Sequence, residues 1–387
     1  MKVFYISGFR YSLKVWDVSG SLGRELMYFE KLYKDFKVEH AIFTYGDVDE
    51  LNYVNNEYIT IYPMFSMFKK TESKIMTFIL SIVYPFKVRK ELKNNIDIIK
   101  VNQLTGAWVG IILSIILKKP LYVRTGYDQY LFSIKDGKNF FKRMFFYFLT
   151  YIALIFCDIY SVTSKSDFKF ITNKYRFNKS KLIYRPNWIP VNKSFNSKNR
   201  NTKTILSVGR LEEQKNFKFI IDEIKNTDFS IEIIGDGSLK EDLKWYAKEN
   251  NVNLKIISKI NYFELLEKYN DYQYFVLPSF YEGNPKVLIE AMSKGCIALA
   301  SNISNHTEII KNNENGIIFD FSEGSLTNYL EKLDKNIDLR KNIALNAYEE
   351  ANLKFSIDKA AMSEYEDYKL VCKVNNWAYL NRLFKNS

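Results

Sequence analysis

Histidine and cysteine are scarce in this sequence of 387 residues, which contains two His and three Cys. With only His40 and His306 available, neither a histidine-based metal centre nor a catalytic triad is expected. The three cysteines lie far apart and include no pair with the spacing of metal ligands; they are Cys157, Cys296 and Cys372. This pattern suits a reducing compartment and argues against a disulfide scaffold or a zinc site.

Long hydrophobic runs are also missing from the chain. No apolar stretch reaches the length that a bilayer span requires. The first eight residues, MKVFYISG, are too short and too quickly interrupted for a signal peptide, and they predict a buried strand instead. We therefore expect a cytoplasmic protein, whose 387 residues and 47% hydrophobic content favour two packed domains.

Acidic residues do not balance the basic ones in the first half of the chain. Residues 1–187 contain 29 Lys and Arg against 16 Asp and Glu, whereas the remainder contains 27 against 28. Such asymmetry indicates an anionic partner for the first half: a membrane surface, a nucleic acid or an anionic polymer. A Lys-rich and Asn-rich composition without any partner is the alternative, and composition alone does not decide between them.

Predicted strands and helices alternate along the whole chain. In the first half the strands are expected at residues 1–8, 40–45, 97–101, 121–124 and 158–163. After a polar linker at residues 194–202, strands follow at residues 204–208, 230–234, 254–257, 274–277, 297–300 and 316–319. Alternating elements of this kind predict an α/β protein with a parallel sheet in each half. The predicted domains are residues 1–190 and 191–361, with a last helix at residues 362–387.

Two apolar, aromatic helices flanked by basic residues are predicted at residues 75–86 and 144–157. Helices of this kind can lie in a membrane interface. A helix packed on a parallel sheet would also be apolar over most of its surface. For residues 75–86 both interpretations stay open, whereas for residues 144–157 the packed helix is favoured.

The sequence FVLPSFYEGNPKVLIEAMSKG, at residues 275–295, predicts a strand, a short polar loop and a helix. Pro285 is expected at the first helical position, because its fixed φ suits a first turn. Free amides at the start of a helix bind anions. Glu282 in the loop and Glu290 in the helix are negative, so they should accept hydrogen bonds from hydroxyl groups. A phosphate between two hydroxyl-rich groups describes a nucleotide sugar.

Arg210 and Lys215 follow a predicted strand and lie five residues apart. A departing nucleoside diphosphate develops negative charge, which Arg can bind through two hydrogen bonds and Lys as a point charge. Two such residues in a loop are usually solvated charges. Their place after a strand, in the same half as Glu282, favours phosphate binding.

Three further motifs carry weaker signals. The loop at residues 19–23 could receive a phosphate or a sugar, or be a plain tight turn. Asp47 and Asp49 could hold a divalent metal, although Glu50 follows them directly and a solvated acidic turn is favoured. Residues 124–128 are a polar cluster after a predicted strand, at the place where open α/β sheets bind ligands.

Arg210 with Lys215, the Gly-Asp-Gly at residues 235–237, and Glu282 with seven residues before Glu290 resemble the donor half of a known family. That family is the GT-B retaining glycosyltransferases of family 4, also called glycosyl transferases group 1. The resemblance implies two facing Rossmann-like domains with parallel sheets and a cleft between them. Residues 1–190 would bind the acceptor, residues 191–361 the donor, and residues 362–387 would pack back on the first domain.

The resemblance also implies roles for single residues. Catalysis would depend on Arg210, Lys215 and Glu282. Donor binding would involve Gly20, Gly209, Gly235, Lys259, Ile260, Gly283, Asn284, Pro285, Lys286, Val287 and Glu290. The acceptor side would involve Arg124, Tyr127 and Asp128. No metal and no cofactor are implied, the donor would be a UDP- or GDP-sugar, and the departing phosphate would act as the base in a retaining front-face attack.

Two departures from the family pattern leave the sugar open. Many relatives carry a His in the acceptor half, where residues 126–128 here read Gly-Tyr-Asp. The donor loop reads Gly283-Asn284-Pro285, where bulkier or glycine-rich versions are usual.

The function predicted from these residues is sugar transfer to a saccharide or lipid-linked acceptor in bacterial surface polysaccharide or glycolipid synthesis. The basic first half predicts an anionic membrane surface, at the inner face of the plasma membrane, as a further partner. One alternative is a glycosyltransferase that acts on nucleic acid or another anionic acceptor. The other is a protein that binds nucleotide sugars without catalysis.

Overall fold

A computed structural model describes residues 1–192, 194–195, 199–258 and 260–373 of the chain. The chain divides into two compact units. The first consists of Met1–Arg185 together with the described residues from Ala361 onward, and the second of Pro186–Ala360.

The first unit contains a seven-stranded sheet in which every neighbouring pair of strands is parallel. Its strand order is β3-β2-β1-β4-β5-β6-β7. The strands are β1 (Lys2–Ile6), β2 (Glu39–Thr44), β3 (Ile59–Pro63), β4 (Ile98–Val101), β5 (Leu121–Thr125), β6 (Ile159–Val162) and β7 (Leu182–Tyr184). The central strand β1 is buried on both faces, and Phe4 and Tyr5 therefore belong to two separate hydrophobic clusters.

Helices connect these strands, as parallel pairing requires. They are α1 (Leu13–Val18), α2 (Leu22–Phe36), α3 (Lys74–Leu92), α4 (Ala107–Leu117), α5 (Gln129–Lys135), α6 (Phe140–Phe156) and α7 (Lys165–Lys174). Side-chain caps fix several helix starts. Ser73 accepts a hydrogen bond from Met76 N at the start of α3, and Asn139 accepts one from Lys142 N at the start of α6.

The second unit contains a six-stranded parallel sheet with the order β10-β9-β8-β11-β12-β13. The strands are β8 (Asn201–Val208), β9 (Ser230–Ile234), β10 (Leu254–Ile257), β11 (Tyr272–Leu277), β12 (Ile297–Ser301) and β13 (Ile317–Phe319). The helices are α8 (Phe217–Ile224), α9 (Lys240–Glu249), α10 (Tyr262–Lys268), α11 (Lys286–Ser293), α12 (Ser304–Thr307), α13 (Ser325–Lys335) and α14 (Ile337–Lys354). The order of the strands reverses between β8 and β11, as in a Rossmann-like sheet.

Residues just after Arg185 pack with the second unit. Ile189 N donates a hydrogen bond to Phe355 O at 2.8 Å, and Ile357 N donates one to Ile189 O at 2.8 Å. Asn187 consequently lies in the second unit and not in the first, where the sequence placed it.

The structure corrects several local predictions. Two short edge strands, β3 and β7, and the helix α1 were not predicted. The prediction of a glycine loop at residues 19–23 was wrong in part, because Gly23 lies inside α2 and because α1 separates Gly20 from the first strand. The helix predicted at residues 75–86 extends over the whole of α3, because Ser73 caps it and Pro85 lies within it without ending it.

The prediction of a solvated acidic turn at residues 47–50 was also wrong in part. Asp47 is partly exposed and forms an ion pair with Lys70, with 2.7 Å between Asp47 Oδ2 and Lys70 Nζ. Glu50, by contrast, is only 3% exposed. It accepts hydrogen bonds from Thr44 Oγ1 and from Lys14 N, so this carboxylate anchors the turn against the sheet.

The helix α15 (Ile357–Lys373) contacts the first unit through two buried carboxylates. Glu364 Oε1 lies 2.6 Å from Lys100 Nζ, and Asp367 Oδ1 lies 2.6 Å from Arg185 Nη2. The apolar face that the sequence predicts at the end of the chain falls in residues 374–387, outside the described residues. Among the described residues, no helix has both the length and the apolar character that crossing a bilayer demands.

Candidate functional site

The candidate site lies at the carboxyl ends of β8 and β11 in the second unit. Gly209 and Arg210 directly follow β8, and the loop that contains Glu282 follows β11. The two strands are neighbours in the sheet, with β9 and β10 on one side and β12 and β13 on the other. Ligands of open α/β sheets bind at such a reversal of strand order.

Lys215 and Glu282 form a buried ion pair at this sheet edge. Lys215 Nζ lies 2.5 Å from Glu282 Oε1, and Ser279 Oγ donates a hydrogen bond to the same oxygen at 2.6 Å. Burial alone would raise the pKa of Glu282. The charge of Lys215 and the hydrogen bonds from Lys215 and Ser279 outweigh burial and hold that pKa below its usual value. Glu282 is therefore an ionised acceptor of hydrogen bonds.

Hydrogen bonds join the loop after β8 to the loop after β11. Phe280 N donates a hydrogen bond to Gln214 O at 2.9 Å, and Gln214 Nε2 donates one to Tyr281 O at 2.7 Å. Arg210 is exposed, and its Nη2 lies 3.5 Å from Gln214 Oε1. In the described part of the chain this guanidinium forms no ion pair, so it is open to an anionic ligand.

Glycine is required where the loops after β8 and β9 cross. A Cβ atom at Gly235 would lie 1.9 Å from Gly209 O, which is a backbone atom and cannot move aside cheaply. Leu211 N donates a hydrogen bond to Asp236 O at 3.0 Å and joins the two loops. Gly209 and Gly235 therefore support the position of Arg210, whichever ligand they contact.

The last part of the loop after β11 is buried up to the start of α11, whereas Phe280 earlier in the loop is exposed. Residues 282–285 are all buried, Lys286 is exposed and Val287 is half-buried. The sequence predicted Pro285 as the first helical residue, whereas in the structure Pro285 is the cap residue and α11 begins one position later, at Lys286. Asn284 is held by Asn187 of the same unit. Its Oδ1 accepts a hydrogen bond from Asn187 N at 2.9 Å, and its carbonyl oxygen accepts one from Asn187 Nδ2 at 2.7 Å.

Glu290 lies in α11 and is 3% exposed. Tyr269 Oη donates a hydrogen bond to Glu290 Oε2 at 3.4 Å. Burial and the charge of Glu290 raise the pKa of Tyr269 well above its usual value, so Tyr269 remains a donor. Ile260, predicted near the base, is half-buried after β10. Lys259, predicted beside it, lies outside the described residues.

His306 is a site residue that the sequence did not reveal. It is fully buried in α12, and its Nδ1 donates to Ser301 O at 2.9 Å. Burial lowers the pKa of His306 to about 4, although the nearby charge of Glu282 opposes this. The imidazole is therefore neutral beside the Lys215–Glu282 pair. A histidine soon after a strand was visible in the sequence, but nothing there placed it next to Glu282.

The remaining predicted residues belong to the first unit. Gly20 has a φ of 74° and forms the turn between α1 and α2. Arg124 Nη1 donates a hydrogen bond to Arg185 O at 3.0 Å, and Tyr127 stacks on Phe132 with 4.0 Å between ring centroids. Gly20 and the residues of the 124–128 cluster lie in the first unit, whereas the cluster around Glu282 lies in the second.

Asp128 is a capping residue rather than an open polar group. It is fully buried, and its Oδ1 accepts a hydrogen bond from Leu131 N at 2.7 Å at the start of α5. Burial, aided by the charge of Asp167, raises the pKa of Asp128 to about 7. This carboxyl group is consequently part-protonated at neutral pH.

The first unit also contains a cavity of about 400 Å³ near the carboxyl ends of β1, β2 and β3. Its lining includes three cations, namely Arg10, Lys14 and Lys70, and four carboxylates, namely Asp47, Asp49, Glu50 and Glu72. Tyr45 and Tyr53 provide aromatic surface. Within the described residues, no three His, Cys, Asp or Glu side chains are grouped in a way that could hold a metal ion.

Comparison with known proteins identifies the type of enzyme. Residues 189–350 match the family model described as Glycosyl transferases group 1. Across 272 residues, the chain is 27% identical to a Campylobacter jejuni enzyme, "GalNAc-alpha-(1->4)-GalNAc-alpha-(1->3)-diNAcBac-PP-undecaprenol alpha-1,4-N-acetyl-D-galactosaminyltransferase". This alignment covers 68% of the chain and 72% of the relative. The chain is a GT-B glycosyltransferase.

Two further comparisons agree with this conclusion. The glycosyltransferase is 29% identical over 265 residues to the Escherichia coli O-antigen biosynthesis glycosyltransferase WbnH, covering 68% of the chain and 75% of the relative. The crystal structure of Anabaena HepE in complex with UDP-glucose shares its fold, with a TM-score of 0.74 and 16% identity. That similarity covers 95% of the chain and 99% of HepE. The predicted GT-B fold with two parallel-sheet, Rossmann-like domains is thus confirmed.

Proposed function

We propose that this glycosyltransferase transfers a sugar from a nucleoside diphosphate sugar to a saccharide or lipid-linked acceptor, with retention of the anomeric configuration and without a metal ion. The acceptor would belong to bacterial surface polysaccharide or glycolipid synthesis. The contact of Lys215 with Glu282 beside the start of α11 carries the proposal. At this place a cation, an ionised carboxylate and the amides at the start of a helix lie at one edge of the sheet.

In the proposed reaction the oxygen of an acceptor hydroxyl forms a bond to the anomeric carbon of the donor sugar. The bond from that carbon to the diphosphate oxygen breaks, and the hydroxyl proton passes to the departing phosphate. Arg210 and Lys215 stabilise the negative charge that develops on the diphosphate. These two cations do the work for which a metal ion would otherwise be needed.

Two carboxylates orient the donor in this proposal. Glu282 accepts hydrogen bonds from sugar hydroxyls, for which its lowered pKa is suited. The amides at residues 283–287 bind the sugar and the phosphates, as the start of a helix favours. Glu290 accepts from the ribose diol, with Tyr269 as the neighbour that fixes its side chain. The base would lie near Ile260, and UDP and GDP are the candidate carriers.

The acceptor proposal takes support from the relatives. The Campylobacter relative is named for an undecaprenol-linked acceptor, and the E. coli relative for O-antigen biosynthesis. We infer an acceptor of the same broad class for this chain, bound by the first unit and met at the inner face of the plasma membrane. Gly20, Arg124, Tyr127 and Asp128 keep their predicted roles as proposals.

A thermal-shift panel of nucleotide sugars tests the donor and the metal together. We expect UDP- or GDP-sugars to raise the unfolding midpoint equally with and without EDTA. The Glu290→Ala variant should lose much of this shift, because it removes an acceptor for the ribose diol, whereas Lys244→Ala, which removes an exposed cation of α9 paired with Glu241, should keep it. A shift that needs Mg²⁺ would refute metal independence. The absence of any shift would contradict the proposed donor site, and NMR of the product tests retention.

A further inference from the structure

Helix α3 packs on the core through apolar residues such as Tyr84, Val88 and Leu92 together with two polar ones, and its opposite face is also apolar, where a helix on a sheet usually exposes polar residues. Thr77 and Ser81 are 1% and 0% exposed, and Trp108 Nε1 donates a hydrogen bond to Ser81 Oγ at 2.9 Å. The opposite face carries five exposed apolar residues at helical spacing: Ile75, Met76, Ile79, Val83 and Phe86.

Helix α6 has a second exposed apolar stripe. Thr150, Ala153 and Leu154 are fully buried. The exposed face carries Phe141, Phe145, Phe148, Ile152 and Ile155, and Phe141 is 82% exposed. The expectation that α6 is a packed core helix therefore holds for one side of it and fails for the other.

The two stripes belong to one surface, because α4 packs between α3 and α6. Ile115 of α4 is also exposed, at 43%. We call the exposed apolar side chains of α3, α4 and α6 the apolar face. Exposed apolar side chains on three neighbouring helices are unusual on a protein that has no partner for them.

We propose that the apolar face docks this enzyme on a bilayer that contains anionic lipid, with α3 and α6 lying in the plane of the interface. The inference rests on the proposed function, since it names the surface at which a lipid-linked acceptor would be met. Interfacial helices combine such a face with basic residues. Here exposed Lys90 and Lys93 continue the stripe of α3, exposed Lys142 lies next to Phe141, and α6 contains no acidic residue.

A second copy of the chain fits this surface less well than lipid does. A symmetric contact between two copies would place the same patch against itself. The basic residues around the apolar face would then oppose one another, whereas anionic headgroups complement them. The charge excess of residues 1–187 lies in the unit that carries the face.

The cavity of the first unit lies at the start of α3, the helix that carries part of the apolar face. Its lining includes Thr77 in the first turn of α3 and Lys70 in the segment that leads into that helix. Docking through α3 would therefore bring the cavity and its charged side chains close to the headgroup layer. A polar group attached to a membrane lipid could enter the cavity while its lipid chain stays in the bilayer.

Vesicle co-sedimentation with the full chain tests the proposal. We expect binding to phosphatidylcholine vesicles to rise steeply when phosphatidylglycerol is added, and to weaken in high salt. The double variant I75E/F141E should reduce the partition coefficient by about tenfold or more, because two exposed apolar side chains become charged. Both positions are solvent-exposed, so the unfolding midpoint should stay near that of the parent.

The matched control is the variant W245E/L353E, in which two exposed apolar residues of the second unit gain the same charges. It should bind vesicles like the parent. Equal vesicle binding by I75E/F141E and the parent would overturn the proposal. Vesicle binding by the parent that does not increase with anionic lipid would also overturn it. If I75E/F141E instead turned a dimer into a monomer and kept its vesicle binding, the face would be a protein interface. The shift of the unfolding midpoint on adding UDP is read in parallel, so that a failed donor site is distinguished from a failed membrane surface.

Discussion

Lys215 Nζ and Glu282 Oε1 lie 2.5 Å apart although 67 residues separate them in the chain. Both side chains are largely buried, at 12% and 9% exposure. Two neighbouring parallel strands, β8 and β11, deliver them to the same edge of the sheet. The pair therefore links the stability of the second unit to the donor site, because a ligand that binds there meets a cation and a carboxylate already fixed to each other.

Removing the cation should destabilise the second unit. Lys215→Met leaves Glu282 as a buried charge without its partner, which costs about 3–5 kcal/mol. The parent gains stability from the lowered pKa of Glu282 above pH 4.5 and loses it as the pH falls through that lowered pKa. In the variant the pKa should be raised instead, so its deficit should shrink in acid. Unfolding midpoints measured across pH 4–8 test this.

The control for this variant is Lys335→Ala, which breaks an exposed pair with Glu331. It should change stability by less than about 0.5 kcal/mol. An equally small effect of Lys215→Met would show that the buried pair contributes nothing to stability.

Arg210→Ala and Glu290→Ala should differ in their kinetics. In the proposed reaction Arg210 acts chiefly as the diphosphate departs, so its loss should lower kcat by about 10²-fold with little change in donor KM. Glu290 is proposed to bind the ribose before and during the reaction, so its loss should raise donor KM by about tenfold or more. Initial rates at varied donor concentration separate the two effects. If both variants turned over like the parent, the assigned donor site would be wrong.

Gly235→Ala should perturb the loop that carries Arg210. The added Cβ would lie 1.9 Å from Gly209 O, so the backbone must shift. We expect a loss of about 2 kcal/mol or more in stability and weaker binding of the donor. Gly126→Ala is the control, because a Cβ there meets nothing within 4 Å. Calorimetry and donor titration report both quantities, and similar behaviour of the two variants would refute the argument.

Asp128→Asn should change how stability depends on pH. Burial raises the pKa of Asp128 from 3.8 to about 7, so the folded protein holds a proton that the unfolded chain releases. Ionising Asp128 therefore costs stability progressively as the pH rises from about 4 to about 7, at roughly 1.4 kcal/mol per pKa unit. Asparagine keeps the oxygen that accepts from Leu131 N and has no such cost. The stability of the variant relative to the parent should increase with rising pH. A stability difference that stays constant with pH would contradict the raised pKa of Asp128.

The sequence predicted many local elements correctly. The motif at residues 275–295 predicted a strand, a loop and a helix, and the structure has β11 and α11 there. Such predictions succeed because apolar periodicity and capping residues act over a few positions. The short edge strands β3 and β7 escaped prediction, because three to five residues on the edge of a sheet carry too little apolar signal.

Predictions about exposure failed more often than predictions about elements. Glu50 looked like a solvated charge and is a buried anchor of its turn. Asp128 was predicted within a polar cluster after a strand, and the sequence did not show that it is a buried cap. Exposure depends on which distant elements cover a side chain, and local sequence carries no information about that.

By itself, then, the sequence determined the alternation of strands and helices, the basic first half and the chemical types of the donor-site residues, since all of these are local or compositional properties. Only the tertiary structure decided that Lys215 pairs with Glu282, that His306 stands beside them and that α3 exposes an apolar stripe opposite its packed face. Each of these depends on which strands become neighbours in a sheet and on which face of a helix the sheet covers. Strand neighbours and covered helix faces are determined by packing between residues that are far apart in the chain.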